Sequence, residues 1–150
     1  MRLTVRSNLA MRILMDCAVN APRMVNAARI AARCNASPHH VAQVVSRLAD
    51  AGMLATTRGR GGGLGLALSA QSIRVGGVLR LFESPVPFTE CMDAATNTCP
   101  LTAACRLRPV FCDALERFYR DLDAVTLADL VDGNAALQAV LAQDEPQEAL

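Results

Sequence analysis

Apolar positions recur at three- and four-residue intervals through most of this chain and switch to strict alternation only once. Residues 4 to 19 set Val5, Leu9, Ile13, Cys17 and Ala18 on one helical face, with Thr4 placed to cap it. A second, shorter helix is expected behind Asn26, with Ala27, Ile30, Ala31 and Cys34 as its apolar side, before residues 35 to 37 interrupt it. Ser37 caps a third helix. Pro38 occupies its first turn, where a missing N–H costs nothing, and Gly52 ends it. The buried face of this helix is Val41, Val44, Val45 and Leu48; His39, Gln43, Ser46 and Asp50 fall opposite, flanked by His40 and Arg47.

The alternation comes next. Leu54 to Arg58 and Leu64 to Leu68 flank a loop of Gly59, Arg60, Gly61, Gly62 and Gly63, which predicts a hairpin with Leu64, Leu66 and Leu68 pointing inward. A fourth helix follows with Val75, Val78, Leu79 and Phe82 on one face, weakened by Gly76 and Gly77, and the sequence ESPVPF breaks the chain near residue 84. From Leu101 the apolar positions Ala104, Leu107, Phe111, Ala114, Leu115, Phe118, Leu122 and Val125 predict a helix of about 24 residues, some 36 Å long at 1.5 Å per residue, with Pro109 as a bend. Thr126 caps a short helix, residues 133 to 141 form a last one, and the polar end is expected to fray. The organisation is thus residues 1–84, a loop at 85–100, the long helix and its successors at 101–143, and a tail at 144–150.

Charge separates the two ends. Of the 150 residues, the first 80 carry eleven arginines against Asp16 and Asp50, while the remainder carries four arginines against twelve acids; the formal net charge of +1 conceals both. A concentrated positive field releases counterions from a polyanion, so the first part is suited to nucleic acid. No stretch approaches the roughly 20 apolar residues that span a bilayer, and no basic start, apolar run and cleavage site combine at the amino terminus. The expectation is a soluble, cytoplasmic protein without a membrane partner, in a compartment where thiols stay reduced.

Three short helices and a hairpin, placed in the basic half, make a winged helix-turn-helix; the fold class is mainly α with a small β-hairpin and a long C-terminal dimerisation helix. A recognition helix buries one face and leaves donors and acceptors free on the other for base edges in the major groove of double-stranded DNA. Ser37, His39, His40 and Gln43 sit at its leading end, Gln43 able to read adenine bidentately, and Arg47 is placed to grip the backbone. In the wing, Gly61 and Gly62 let the loop approach a sugar-phosphate wall, and Arg58 and Arg60 can enter a minor groove. The long helix exceeds what one small domain needs, so part of its apolar face is expected to pair with a second copy as a homodimer.

Of the six cysteines, Cys91, Cys99 and Cys105 stand in one short stretch. Thiolates this close repel unless a cation compensates them, and iron favours soft sulfur ligands. Zinc would need a fourth protein ligand and tighter spacing, and a metal-free disulfide switch is the other alternative. Cys17 and Cys34 lie on apolar helix faces and pack; Cys112, two turns beyond Cys105, is expected to pack as well. The only histidines, His39 and His40, lie on the presumed DNA face, far in sequence from Cys91, Cys99 and Cys105, and no C-x-x-C occurs, so an enzyme is not expected.

The opening MRLT and NLAMR, the helix-turn-helix, RGRGGGLGL, RVGGVLR, the cysteine trio and CRLRPVFCDALERFYRDLDAVTLADL together resemble the winged-helix iron-sulfur transcriptional regulators, over about residues 1 to 142. Within that family the chain is most similar to the nitric-oxide-sensing repressors, while the seven residues between Cys91 and Cys99 resemble the iron-responsive branch. The resemblance implies a homodimer on a palindromic operator and an iron-sulfur cluster, 4Fe-4S or else 2Fe-2S, held by Cys91, Cys99 and Cys105. It also implies that loss or modification of the cluster, by nitric oxide or by iron or cluster status, changes the hold on DNA. Asn8 stands where some relatives use an aspartate as fourth ligand; a neutral amide is a poor iron ligand, so water, a small thiol or Asp93 takes that place.

Overall fold

A computed structural model describes residues 3–59 and 62–142. Seven helices and one hairpin are seen among them: α1 (Val5–Asn20), α2 (Ala27–Arg33), α3 (Pro38–Asp50), β1 (Leu54–Thr57), β2 (Gly63–Leu66), α4 (Val75–Glu83), α5 (Leu107–Asp123), α6 (Leu127–Val131) and α7 (Ala135–Leu141). This is a mostly helical winged fold, as the spacing of apolar residues predicts.

The predicted caps form. Thr4 accepts from the Ser7 N–H, Asn26 from Ala28 and Arg29, and Ser37 from His40, so each helix begins where a side-chain oxygen satisfies an otherwise orphaned donor. Thr126 and Asp129 complete a reciprocal capping box on α6. Glu83, at the end of α4, accepts from the Thr4 N–H at 2.7 Å and from the Ser7 hydroxyl, which fastens the start of α1 to α4.

The hairpin is antiparallel and pairs Leu54 with Leu66 through to Thr57 with Gly63. Its other edge is not left open: Val25 and Leu64 exchange N–H···O bonds of 2.8 Å in both directions, so the segment before α2 acts as a third short strand. The alternation holds for Leu64, which is buried, and fades after it. Leu68 lies beyond the ladder and is 46% exposed, contrary to the inward position its spacing predicts. Gly59 has φ +99°, and a Cβ on Gly62 would meet the backbone of Thr57 and Arg58, so these glycines answer first to the hairpin's own turn. Arg60 and Gly61 lie outside the described residues, as does the tail at 144–150.

One core cluster joins Leu9, Ile13, Leu14 and Cys17 of α1 to Ile30, Val41, Val44, Leu48, Val25, Leu54, Leu64, Val78, Phe82 and Leu127. Cys17 is buried in it and Cys34 packs against it, as their helical faces predict. A smaller cluster, Val75, Leu79 and Tyr119 with Leu115, Phe118 and Leu122 around them, holds α5 on α4.

The largest departure concerns α5. It begins at Leu107, not Leu101, and has 17 residues. Residues 101–104 form turns instead, because Cys99, Thr102 and Asn97 bond one another locally and compete with a helical first turn. Pro109 consequently falls at the third helical position, where no N–H is required, and is not an interior bend. Cys105 stands outside the helix, and Cys112 is exposed instead of packed.

A three-cysteine pocket and a candidate DNA face

The α4–α5 connection is built around short polar residues that bond back to their own chain. Asn97 Oδ1 accepts from the Cys99 N–H at 3.1 Å, Asn97 Nδ2 donates to Thr102 Oγ1 at 2.9 Å, and Thr102 Oγ1 donates to the Cys99 carbonyl at 2.9 Å. Glu90 Oε1 accepts from both the N–H and the hydroxyl of Thr98, at 2.7 and 2.6 Å. The Thr98 hydroxyl, and after it the Thr98 N–H, hold the Glu90 carboxyl below its ordinary value.

These bonds shape a pocket of about 280 Å³ lined by Cys91, Cys99 and Cys105 together with Thr89, Glu90, Leu101, Leu107, Arg108 and Phe111. All three thiols are half-buried, and the Thr89 hydroxyl lies 3.3 Å from the Cys91 sulfur. Leu107 and Arg108 belong to the first turn of α5, whose unpaired N–H groups and the Arg108 cation favour negative charge nearby. Phe111 is held from the far side by an edge-on contact with Phe88, ring centroids 5.6 Å apart.

Among the described residues no three His, Cys, Asp or Glu side chains converge closely enough to hold a single metal ion. A tetrahedral zinc site needs four such ligands on one point. An iron-sulfur cluster asks for something else: each thiolate takes its own iron, so soft donors spread around a recess are the required arrangement. The donor set and the recess fit that group.

The fourth-ligand candidates separate. Asn8 is exposed on α1. Asp93 lines a different cavity, about 770 Å³, between the 84–88 segment and α5, and its carboxylate accepts from Thr96 Oγ1 at 2.7 Å and from the Ala95 N–H at 3.0 Å. The carboxylate on the thiol-lined pocket is Glu90, whose Oε1 is already engaged by Thr98. Sequence reasoning passed over Glu90, Thr98 and Arg108, although the glutamate and the threonine stand directly before Cys91 and Cys99.

At the other end of the molecule α3 presents His39, Gln43, Ser46 and Asp50 to solvent, with His40 and Arg47 half-buried beside them. Gln43 Nε2 and His39 Nε2 lie 3.0 Å apart, one turn from each other. Ser37 is exposed, but its oxygen is used as the helix cap, at 3.2 Å from the His40 N–H. The Arg47 guanidinium stands 5.5 Å from the centre of the Phe82 ring, which braces it from α4. Arg58 is exposed at the base of the wing and Gly62 is half-buried in it; Arg60 and Gly61 are not among the described residues.

Comparison with known proteins agrees with this architecture. Residues 3–133 match the family model Rrf2, described as an iron-dependent transcriptional regulator. The HTH-type transcriptional regulator NsrR of Geobacillus kaustophilus is 40% identical over 142 residues, covering 94% of this chain and 97% of that protein. The HTH-type transcriptional repressor NsrR of Streptomyces coelicolor is 38% identical over 133 residues, 87% of this chain and 88% of its own. Among solved structures, IscR of T. potens superposes with a TM-score of 0.70 at 23% identity, covering 96% of this chain and 94% of that one.

Proposed function

The chain belongs to the Rrf2 family of transcriptional regulators, and we propose that it is a repressor that carries an iron-sulfur cluster on Cys91, Cys99 and Cys105 and lets go of its operator in response to nitric oxide. It is a DNA-binding regulator and not an enzyme. The observation that carries the finer reading is that three cysteines spread over 15 residues of sequence line one pocket at the start of α5.

When bound, the cluster supplies iron able to combine with nitric oxide. Everything else in the response belongs to the chain. The three thiols hold the group, while Arg108 and the first turn of α5 offset its negative charge. The position of the 90–105 segment sets where α5 begins, and α5 is clamped to α4. Phe82 of α4 in turn braces Arg47 on α3, so α5 and the outer face of α3 are both fastened to the same helix. Leu101, Leu107 and Val110 remain 66, 54 and 58% exposed around the pocket and the beginning of α5. That apolar surface supports a homodimer through α5, which sets two copies of α3 about one helical turn of DNA apart on a palindromic site.

Anaerobic purification with an absorption spectrum, followed by titration with nitric oxide and separately with an iron chelator while operator binding is measured, tests this. Prompt release by nitric oxide, with the chelator acting no faster than it bleaches the cluster, is the expected result. Release by the chelator alone replaces nitric oxide with iron as the signal, and a protein that responds to nitric oxide with no bound iron refutes the cluster.

A further inference from the structure

We infer that Glu90 and Thr98 form a latch that brings Cys91 and Cys99 to one pocket, making Glu90 a positioning residue for the metal site; the inference rests on the cluster reading above. The geometry is specific. Glu90 immediately precedes Cys91, Thr98 immediately precedes Cys99, and both Thr98 donors, N–H and Oγ1–H, converge on the single oxygen Oε1 at 2.7 and 2.6 Å. Seven residues separate the two cysteines, and flexible chain of that length has no reason to hold its ends together. Two hydrogen bonds converging on one fixed acceptor oxygen supply one, since each ties the arm before Cys99 to the residue before Cys91.

The surrounding bonds finish the fixation. Thr89, on the other side of Glu90, touches the Cys91 sulfur at 3.3 Å, and Asn97, before Thr98, receives the Cys99 N–H at 3.1 Å. Each cysteine is therefore flanked by groups that bond either to it or to the opposite arm of the loop. Cys105 needs no such device, since it lies two residues before α5 and takes its position from that helix.

The latch is a matter of acceptor geometry and not of iron coordination, and this separates the test variants. Glu90→Gln keeps an oxygen at the same place, Glu90→Ala removes it, and Thr98→Val deletes one of the two donors. After anaerobic reconstitution, bleaching of the cluster by an iron chelator is expected to quicken about tenfold in Glu90→Ala, by less in Thr98→Val and by no more than about twofold in Glu90→Gln, with the absorption envelope of the last unchanged. Glu90→Ala bleaching at the wild-type rate overturns the latch. Glu90→Gln behaving as badly as Glu90→Ala overturns it as well, in favour of a carboxylate that binds iron directly.

A metal-free measurement keeps the two readings apart. Dibromobimane, which fluoresces when it bridges neighbouring thiols, is expected to link Cys91 to Cys99 in the apo-protein about tenfold faster in wild type and Glu90→Gln than in Glu90→Ala. If this difference is found in a protein that takes up no cluster, the cluster reading fails and the latch stands. Equal bridging rates in all three proteins overturn the latch whatever the wild type binds.

Discussion

One nitrogen of Arg80, Nη1 on α4, donates to both carboxylate oxygens of Asp123 at the end of α5, at 2.8 and 2.6 Å, while its guanidinium lies 4.8 Å from the centre of the Tyr119 ring. Asp123, and then Glu116, raise the Arg80 pKa further. Because both partners of the pair are about one-third exposed, solvent screens it, and the ion pair and ring contact together are worth about 1–2 kcal/mol. Arg80→Met is expected to lower the melting temperature by about 2–6 °C at low salt, and this gap from wild type is expected to narrow as salt is added. A thermal melt at low and high ionic strength checks it.

The same crossing explains a glycine that helix propensity alone counts as a defect. A Cβ on Gly76 would come within 2.6 Å of the Tyr119 carbonyl and would also meet the Asp123 carboxylate, so α5 lies on α4 at the place where a side chain is missing. Gly77, one position on, has nothing within 4 Å of where its Cβ would stand. Gly76→Ala is therefore expected to destabilise by about 1–3 kcal/mol through overpacking, and Gly77→Ala to stabilise by about 0.5–1 kcal/mol through helix propensity. Urea unfolding that moved both midpoints the same way would contradict the close approach.

The capping box of α6 predicts an acid limb in stability. The Thr126 N–H, and after it the Thr126 hydroxyl, hold the Asp129 carboxyl below its ordinary value of 3.8. A folded pKa below the unfolded one gives stability that is present above the unfolded value and is lost as pH falls through the folded one. Leu127, Ala128 and Val131 depend on this turn for their burial in the core. Asp129→Asn is expected to destabilise at neutral pH and to differ less from wild type below pH 3.8, because protonation has by then taken the same charge from the parent. Melts between acid and neutral pH read the convergence.

Helix faces, caps and the hairpin were legible in the sequence because each follows from a local rule: Asn26, Ser37 and Thr126 cap where an oxygen precedes apolar spacing. The three cysteines could be singled out by residue type. What sequence periodicity could not supply was the competition at 101–104, where the apolar spacing of Leu101 and Ala104 reads as helix but side-chain bonds among Asn97, Cys99 and Thr102 hold turns instead. Nor could it show why Gly76 is glycine, since the reason lies 43 or more residues away, in the Tyr119 carbonyl and the Asp123 carboxylate. The part played by Glu90 was hidden for a related reason: its partner is Thr98, a pairing that no periodic pattern marks.

Thiol chemistry should divide the cysteines by burial. Burial, with the Asp16 charge beside it, pushes the Cys17 thiol up to about 12. At pH 7 that leaves roughly one molecule in a hundred thousand as thiolate, within a site that reagent cannot enter. Iodoacetamide on the native, metal-free protein is expected to modify exposed Cys112 readily and Cys17 only at the rate of global unfolding, as read by peptide mass spectrometry. Labelling of Cys17 in step with Cys112 would show that the core opens locally.

Base preference should depend on a pair of side chains and not on one. Gln43 and His39 are exposed on successive turns of α3, with Gln43 Nε2 and His39 Nε2 3.0 Å apart. A neutral imidazole nitrogen accepts from the amide N–H₂, which fixes which way the Gln43 carbonyl oxygen points; a glutamine reads adenine only when its amide presents oxygen and nitrogen in the correct order. Gln43→Ala is expected to cost about 1–3 kcal/mol at one base position and little elsewhere. His39→Ala should flatten preference at that same position while Gln43 is still present, because the amide can then rotate freely. Arg47→Ala, by contrast, should weaken binding to every sequence alike and reduce the salt dependence by about one charge. Competition binding against a library with each operator position randomised tests all three, and unchanged preference in His39→Ala would show that Gln43 is aligned by the DNA alone.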